Sequence, residues 1–375
     1  MMLQVAWQML AHRPVRSLMT VCGLGILFFL SAAQVGLLVG WCRTCTALIR
    51  NAAADVWVMS EQTPAFDYGT AIPHQRLYQV RSVPGVAWAE GLFLSWVYWQ
   101  CPDGRQVNVE MIGLDDSDQG GPWAMHTGDV SAVHLPDAVV VDELYLKQLG
   151  VRQVGDTAEV LGRRAVVRGI CTEARTFTTS PYVFTSLRAA VDYDQQYERN
   201  SITYVLARAA PGVSAEDLAR SIRRVVPHVE VLTARDFSMR TMLYWMLETG
   251  IGLTVVLTAL LGFTVSALVV SQTLFALTQE HLPQYVTLLA LGFRRGALLR
   301  CILWQSLLLS AGSVVVGSGV FFAAAQASRR TVIPIETTPL VFLALVALQF
   351  LCAAAGGRLA SRGVLSANPA SVFRG

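Results

Sequence analysis

A chain of 375 residues with 53% hydrophobic and only 15% charged residues is too apolar for a pair of ordinary soluble domains. Its formal charge of +3 is too small for a nucleic-acid binder, and no basic run with interleaved aromatics occurs. Both facts point to a membrane protein with no nucleic-acid partner.

Residues 1–17 place Leu3, Trp7 and Leu10 at helical spacing, with His12, Arg13 and Arg16 following. This predicts a short interfacial helix that ends in a cationic stop on the cytoplasmic side, against membrane lipids. Leu18 to Trp41 then runs about 24 residues without a charge, long enough to span a bilayer core, and reads as an anchor rather than a leader. We assign this first span to residues 18–42. Gly23, Gly25 and Gly36 suit close helix packing, and Gln34, polar near mid-bilayer, is expected to face another helix.

From 43 to 240 the composition becomes that of a soluble domain, with 19 Lys and Arg against 23 Asp and Glu. The short flanking segments carry Arg13, Arg16, Arg294, Arg295, Arg300, Arg358, Arg362 and Arg374 against Glu280 alone. Positive charge in short loops marks the cytoplasmic face, so the large insert is expected outside. Asp55–Ser60 alternates as a strand, 73–83 reads as a helix and 86–100 as an aromatic-rich strand. Further on, 201–208 is a strand, 214–226 a helix capped by Ser214 with Asp217 at its third position, and 229–233 a strand. The ends therefore predict an α+β lobe of 43–103 and 201–240, interrupted by a β-rich lobe of 104–200.

Residues 241–277 read as a stalk and the second span, the outer end of the long Leu247–Leu277 run projecting as a stalk continuous with the insert, 278–296 as a cytoplasmic segment and 297–325 as the third span. An external loop of 326–337, a fourth span of 338–357 and a cytoplasmic tail of 358–375 follow. The fold class expected is membrane α-helical, with four spans and a large α+β extracytoplasmic domain inserted between the first and second.

Seven cysteines are present. Cys42 and Cys45 form a C-x-x-C at a helix C-terminal end, where nothing lowers a thiol pKa, so a redox role is disfavoured. Cys101 and Cys171 share the outer insert, where a disulfide is permitted. The six histidines show no metal-ligand spacing, so no metal site is expected. Asp115, Asp116 and Asp118 lack the pattern of a calcium loop. No G-x-x-x-x-G-K-[ST] pattern exists, so any ATP and Mg would be bound by a separate subunit, and the chain itself is not expected to be an enzyme.

The run Glu280-His281-Leu282-x-x-Tyr285-x-Thr287-Leu288-x-Ala290-Leu291-Gly292-Phe293 resembles the cytoplasmic coupling segment of FtsX/MacB-type ABC transporter permeases, closest to the DevC-like branch. Ala54–Met59, the stretch from Gly169 to Ser186 and the tail Ala367–Gly375 resemble other stretches of that family. Pro283 and Leu289 depart from it, standing where a polar or basic residue is usual. A proline in the first turn of a helix is tolerated because its missing N–H would be unpaired anyway.

The resemblance implies a MacB-like periplasmic core, a homodimer in the inner membrane with both termini cytoplasmic, and an ABC ATPase docked on Glu280, Pro283, Tyr285, Leu288, Leu289, Gly292, Arg294 and Arg295. In this reading the leucines and Tyr285 are knobs presented to the ATPase. A membrane-fusion adaptor and an outer-membrane channel are the further partners implied, with lipid, glycolipid, peptide or drug-like cargo. The alternative is a regulatory FtsX-like permease that controls a partner such as a cell-wall hydrolase and transports nothing.

Overall fold

The computed structural model describes residues 2–12, 14–116, 119–178, 180–194, 200–280, 282–291 and 293–366. His281, Gly292, Asp118, Thr179 and the tail motif of 367–375 lie outside them. The chain forms two units. One is a sheet unit of Trp41–Leu253 with Arg330–Ile333; the other is a helical unit of Met1–Gly40, Thr254–Arg329 and Pro334–Gly375.

The helices up to the sheet unit are α1 (Met2–Ala11), α2 (Pro14–Cys45) and α3 (Ala47–Asn51). The first half of the sheet unit follows as β1 (Val56–Met59), β2 (Ile72–Pro73), α4 (Gln75–Arg81), β3 (Val86–Gln100) and β4 (Gln106–Leu114). Its middle holds β5 (Met125–Thr127), β6 (Ala138–Asp142), α5 (Leu146–Leu149), β7 (Thr157–Val160), β8 (Arg163–Cys171), β9 (Tyr182–Ser186) and α6 (Leu187–Tyr193). β10 (Ser201–Ile202), β11 (Tyr204–Ala209), α7 (Ala215–Val225), β12 (Glu230–Thr233) and α8 (Ala234–Leu247) complete it. The later helices are α9 (Ile251–Glu280), α10 (Leu282–Ala290), α11 (Arg295–Ser328) and α12 (Pro339–Ser366).

In the sheet unit one continuous path runs β12-β1-β11-β3-β4-β9-β6-β8-β5, with β7 pairing β3 and β8. The β4–β9 and β6–β8 pairs are parallel and the other pairs antiparallel. All four residues of β1 are buried because both its faces are covered. Val56 and Val58 join a core under α4 and α7, while Trp57 and Met59 join a core with Phe66, Tyr204 and Phe237 on the other face. α7 begins where the Ser214 side chain accepts from Asp217 N, and it buries Leu218, Ala219 and Ile222.

Three expectations change here. The two anticipated lobes share one sheet, because β3 has 15 residues, about 50 Å of strand, and pairs with β11 at one end and β7 at the other. The stalk is not continuous with the second span: α8 ends at Leu247 and α9 begins at Ile251. Gly250 has φ 71°, and Gly252 comes so close to the Met246 backbone that no side chain would fit. Finally, Cys101 and Cys171 are both free thiols. Cys101 packs with Trp99 and Val109 on one face of the sheet, whereas Cys171 packs with Phe184 and Leu114 on the other, so the sheet itself separates them.

Among the described residues four helices are long and apolar enough to cross a membrane: Pro14–Cys45, Gly252–Glu280, Arg295–Ser328 and Pro339–Leu359. Small residues set their packing. A methyl group on Gly25 would stand 3.1 Å from Val316, and one on Gly36 would stand 2.7 Å from Ile335. One on Gly262 would overlap the Gln34 amide, whereas Gly23 faces open space. Phe28, Phe321 and Phe342 form an aromatic cluster at 5.9–6.2 Å. α9 is the least covered of the four and exposes Leu257, Leu260, Leu261, Val265 and Leu268.

Candidate functional site

α10 is a nine-residue helix held between the end of α9 and the start of α11. Its backbone is closed after Ala290 by Leu291 N to Thr287 O at 3.0 Å and Phe293 N to Leu288 O at 3.2 Å. α11 restarts with Ala297 N bonded to Arg294 O at 2.8 Å. Such a short helix is marginal in isolation, so its order must come from packing.

Tyr285 supplies that packing. It is 0% exposed and lies among Ala6 of α1 and Leu298, Cys301 and Ile302 of α11, with Val5, Met9 and Leu288 around it. Its hydroxyl donates to Gln305 Oε1, and Gln305 Nε2 lies 3.3 Å from Met9 Sδ. Burial pushes the hydroxyl well above its ordinary pKa, so it remains a donor. Val286 is buried beside it.

Tyr285 therefore faces inward, and the expectation of a knob presented to a partner is corrected for this residue. Leu288 is half-buried against the same cluster. What the segment displays instead is Thr287, Leu291 at 71% exposure, and the exposed Arg294 and Arg295. Among the described residues neither arginine joins an ion pair. Glu280 pairs with Arg16 at the surface, a contact screened by solvent and worth little by itself. Backbone is described at Pro283 and Leu289, both within α10.

α1 is part of the same seat. Ala6 and Leu10 are its buried residues and Met2, Val5 and Met9 pack beside them, while Leu3 and Trp7 remain exposed at 43% and 62%. The sequence pattern had grouped Leu3, Trp7 and Leu10 on one face. Small and flexible residues, Ala6 with Met2 and Met9, made the buried face invisible to a search for large apolar side chains.

Residues 17–225 match the family described as the MacB-like periplasmic core domain, and residues 236–369 match the FtsX-like permease C-terminal family. The chain belongs to the FtsX/MacB-type permeases. No curated protein matches it. Similar solved structures include the periplasmic region of MacB from Actinobacillus actinomycetemcomitans. That match has 10% identity over 51% of this chain and 94% of that one, with a TM-score of 0.39. The extracellular domain of the noncanonic ABC-type transporter YknZ from Gram-positive bacteria matches at 10% identity over 48% and 98%, with a TM-score of 0.36. Permeases of this family are membrane components of ABC-type transporters and work with an ABC ATPase partner.

Proposed function

We propose that this permease is the membrane subunit of a DevC-like exporter, and that α10 with its flanks is where the ATPase subunit docks. The observation that carries this reading is the seating of α10. A nine-residue helix anchored on α1 and α11 by one buried tyrosine, with Leu291, Arg294 and Arg295 displayed, is a rigid lever with an apolar and cationic contact surface. A partner that pushes on Leu291 moves α11 and α1 with it. In this reading Glu280 orients the segment through Arg16, and Pro283 and Leu289 belong to its helix.

The further expectations follow from the family reading. Both termini and α10 lie in the cytoplasm, the sheet unit lies outside the inner membrane, and two copies act together. ATP-driven movement then delivers lipid, glycolipid, peptide or drug-like cargo to an adaptor and an outer-membrane channel. The test is co-purification from native membranes in mild detergent, with mass spectrometry of the proteins recovered. Arg294→Glu with Arg295→Glu should lose the ATPase while the permease still inserts and folds. Undiminished ATPase recovery with that variant would refute the docking surface. Recovery of an ATPase with a cell-wall hydrolase in place of an adaptor would replace export by regulation.

A further inference from the structure

Two carboxyl groups of the sheet unit are buried close enough for the charge of one to act on the other. Asp67 lies in the 3₁₀ turn Phe66–Tyr68 and is 2% exposed, while Glu110 of β4 is 0% exposed. Glu110 stands opposite Trp96 in the β3–β4 register and opposite Tyr182 in the β4–β9 register. The same Trp96 indole donates to the backbone carbonyl of Asp67 at 3.1 Å.

Each carboxyl holds one side of a joint. Asp67 Oδ2 accepts from Trp245 Nε1 of α8 at 2.7 Å. Glu110 Oε1 accepts from Thr178 Oγ1 at 2.7 Å, in the loop between β8 and β9. Phe177 of that loop meets Trp245 edge-on, with ring centroids 4.5 Å apart, and also touches Trp41. The second oxygen of Glu110, Oε2, is buried without a hydrogen-bond partner. A buried carboxylate in that position leaves lone pairs unsatisfied, whereas a protonated carboxyl tolerates the site far better.

The titratable groups that face the pair give no compensation. They are Tyr68 beside Asp67, Tyr244 on α8, Cys45 at the end of α2, Tyr204 on β11, Tyr182 on β9 and Tyr145 before α5. Burial holds Tyr68, Tyr145, Tyr182 and Tyr204 above the ordinary tyrosine value, so these four are neutral near pH 7. Arg175 acts on Asp142 and Tyr145, and Arg240 of α8 is held by Glu230. Burial raises Asp67 to about 6 and Glu110 well above its ordinary value, with the Asp67 charge the second cause for Glu110.

We propose that Asp67 and Glu110 form one proton-binding site whose occupancy sets how firmly the C-terminal end of α8 is held to the rest of the sheet unit. With one proton on the pair, Asp67 keeps the charge that accepts from Trp245, and Glu110 sits neutral in its dry pocket. Loss of the last proton places two negative charges around the Trp245–Phe177 contact. They gain hydration only if that contact opens.

The sign is set by the direction of the shifts. A raised carboxyl binds its proton more tightly in the closed joint than in the open one, where both groups return to ordinary values of about 4. The closed joint is therefore fully favoured at acidic pH. It loses ground as pH rises through the Asp67 value and on through that of Glu110. One proton of difference changes the opening equilibrium by up to about tenfold per pH unit. Acidity in the compartment that bathes the sheet unit would tighten the joint, and alkalinity would loosen it.

The test is hydrogen–deuterium exchange of the full chain in nanodiscs between about pH 5 and pH 9, corrected for the intrinsic rate. Protection of α8 in the wild type should fall with rising pH. Glu110→Gln, a neutral isostere, should keep the fall near pH 6 that belongs to Asp67 and lose the further fall at higher pH. Identical pH profiles for wild type and Glu110→Gln would overturn the proposal. So that a misfolded variant cannot leave the question open, infrared spectra of wild-type protein with 13C-carboxyl glutamate provide a second reading. A labelled carboxylic-acid carbonyl band present at neutral pH and lost at high pH is expected, and its absence at neutral pH would overturn the proposal.

Discussion

Replacing Tyr285 asks directly whether α10 is a lever or a loop. Tyr285→Ala removes a ring that is 0% exposed and leaves a cavity between α1, α10 and α11. Losses of this kind cost about 3–5 kcal/mol when the surroundings cannot collapse. α10 has only nine residues and almost no stability of its own, so nearly all of that cost falls on its docking. The equilibrium for release of α10 should rise roughly 200- to 5000-fold. Tyr285→Phe keeps the ring and removes only the donor to Gln305 Oε1, a change of about 1–2 kcal/mol. Its expected effect is roughly 5- to 30-fold. Exchange protection of α10 in nanodiscs reads both variants, and co-purification of the ATPase should fall in the same order. If Tyr285→Ala leaves α10 as protected as the wild type, the seat is held by something other than this ring and the lever argument fails.

Gly262→Leu drives a side chain into the Gln34 amide, and the overpacking should lower thermal stability by about 1–3 kcal/mol, with Gln34→Ala in the same chain restoring part of it. Cys101 and Cys171 should both react with an alkylating reagent after denaturation without reductant, as mass spectrometry will show; a recovered disulfide-linked peptide would contradict their placement on opposite sheet faces. Trp245→Phe replaces the indole by a smaller phenyl ring and takes the Nε1 donor from Asp67, whose carboxylate that bond stabilises. Without it the Asp67 value moves higher still. Beyond a pH-independent loss of ring packing, the deficit of the variant against wild type should grow by about 1.5–3 kcal/mol above pH 6, measured by denaturant unfolding at acidic and neutral pH.

Patterns that depend on one element alone were legible in the chain. The alternation in Val56–Met59, the strand of Val86–Gln100 and the Ser214–Asp217 cap each report a local preference that the packing did not override. What depends on a neighbour was not legible. α10 is apolar at Leu282, Tyr285, Val286, Leu288 and Leu289, nearly all round its axis, so periodicity does not say that Tyr285 points inward. Gln305 stood out as a polar residue in a span, but its partner comes from a residue 20 positions away. Asp67 and Glu110 read as ordinary acids of a soluble domain. Only the register of β3 with β4, and the return of α8 beneath the 66–68 turn, bury them together. Cysteine counting failed for a related reason: sequence distance carries no information about which sheet face a thiol takes.

In the proposed exporter reading, the break between α8 and α9 sets where force would travel. A continuous helix would carry axial movement through its own backbone hydrogen bonds, and the contacts of its outer half would matter little. Here the helix stops at Leu247, turns through Gly250 at φ 71° and resumes at Ile251, so the backbone alone makes a poor push-rod. α8 must then be tied to the sheet unit by side chains. Three such ties lie along it: Arg240 to Glu230 at 2.5 and 2.6 Å, Thr241 accepting from Phe66 N at 3.1 Å, and Trp245 to Asp67 at 2.7 Å. Two of the three end on the Phe66–Tyr68 turn, and the third also reaches Thr63 O at 3.2 Å just before it. Cutting the Trp245–Asp67 tie should therefore uncouple α8 from that turn without unfolding β1 or β11, whose cores do not use it. Loss of exchange protection confined to α8 and 63–68 in Trp245→Phe is the expected pattern. Loss spread through β1 and β11 would mean that the tie also holds the packing of Phe237 against Trp57 and Tyr204, and that the end of α8 cannot serve as a separable joint.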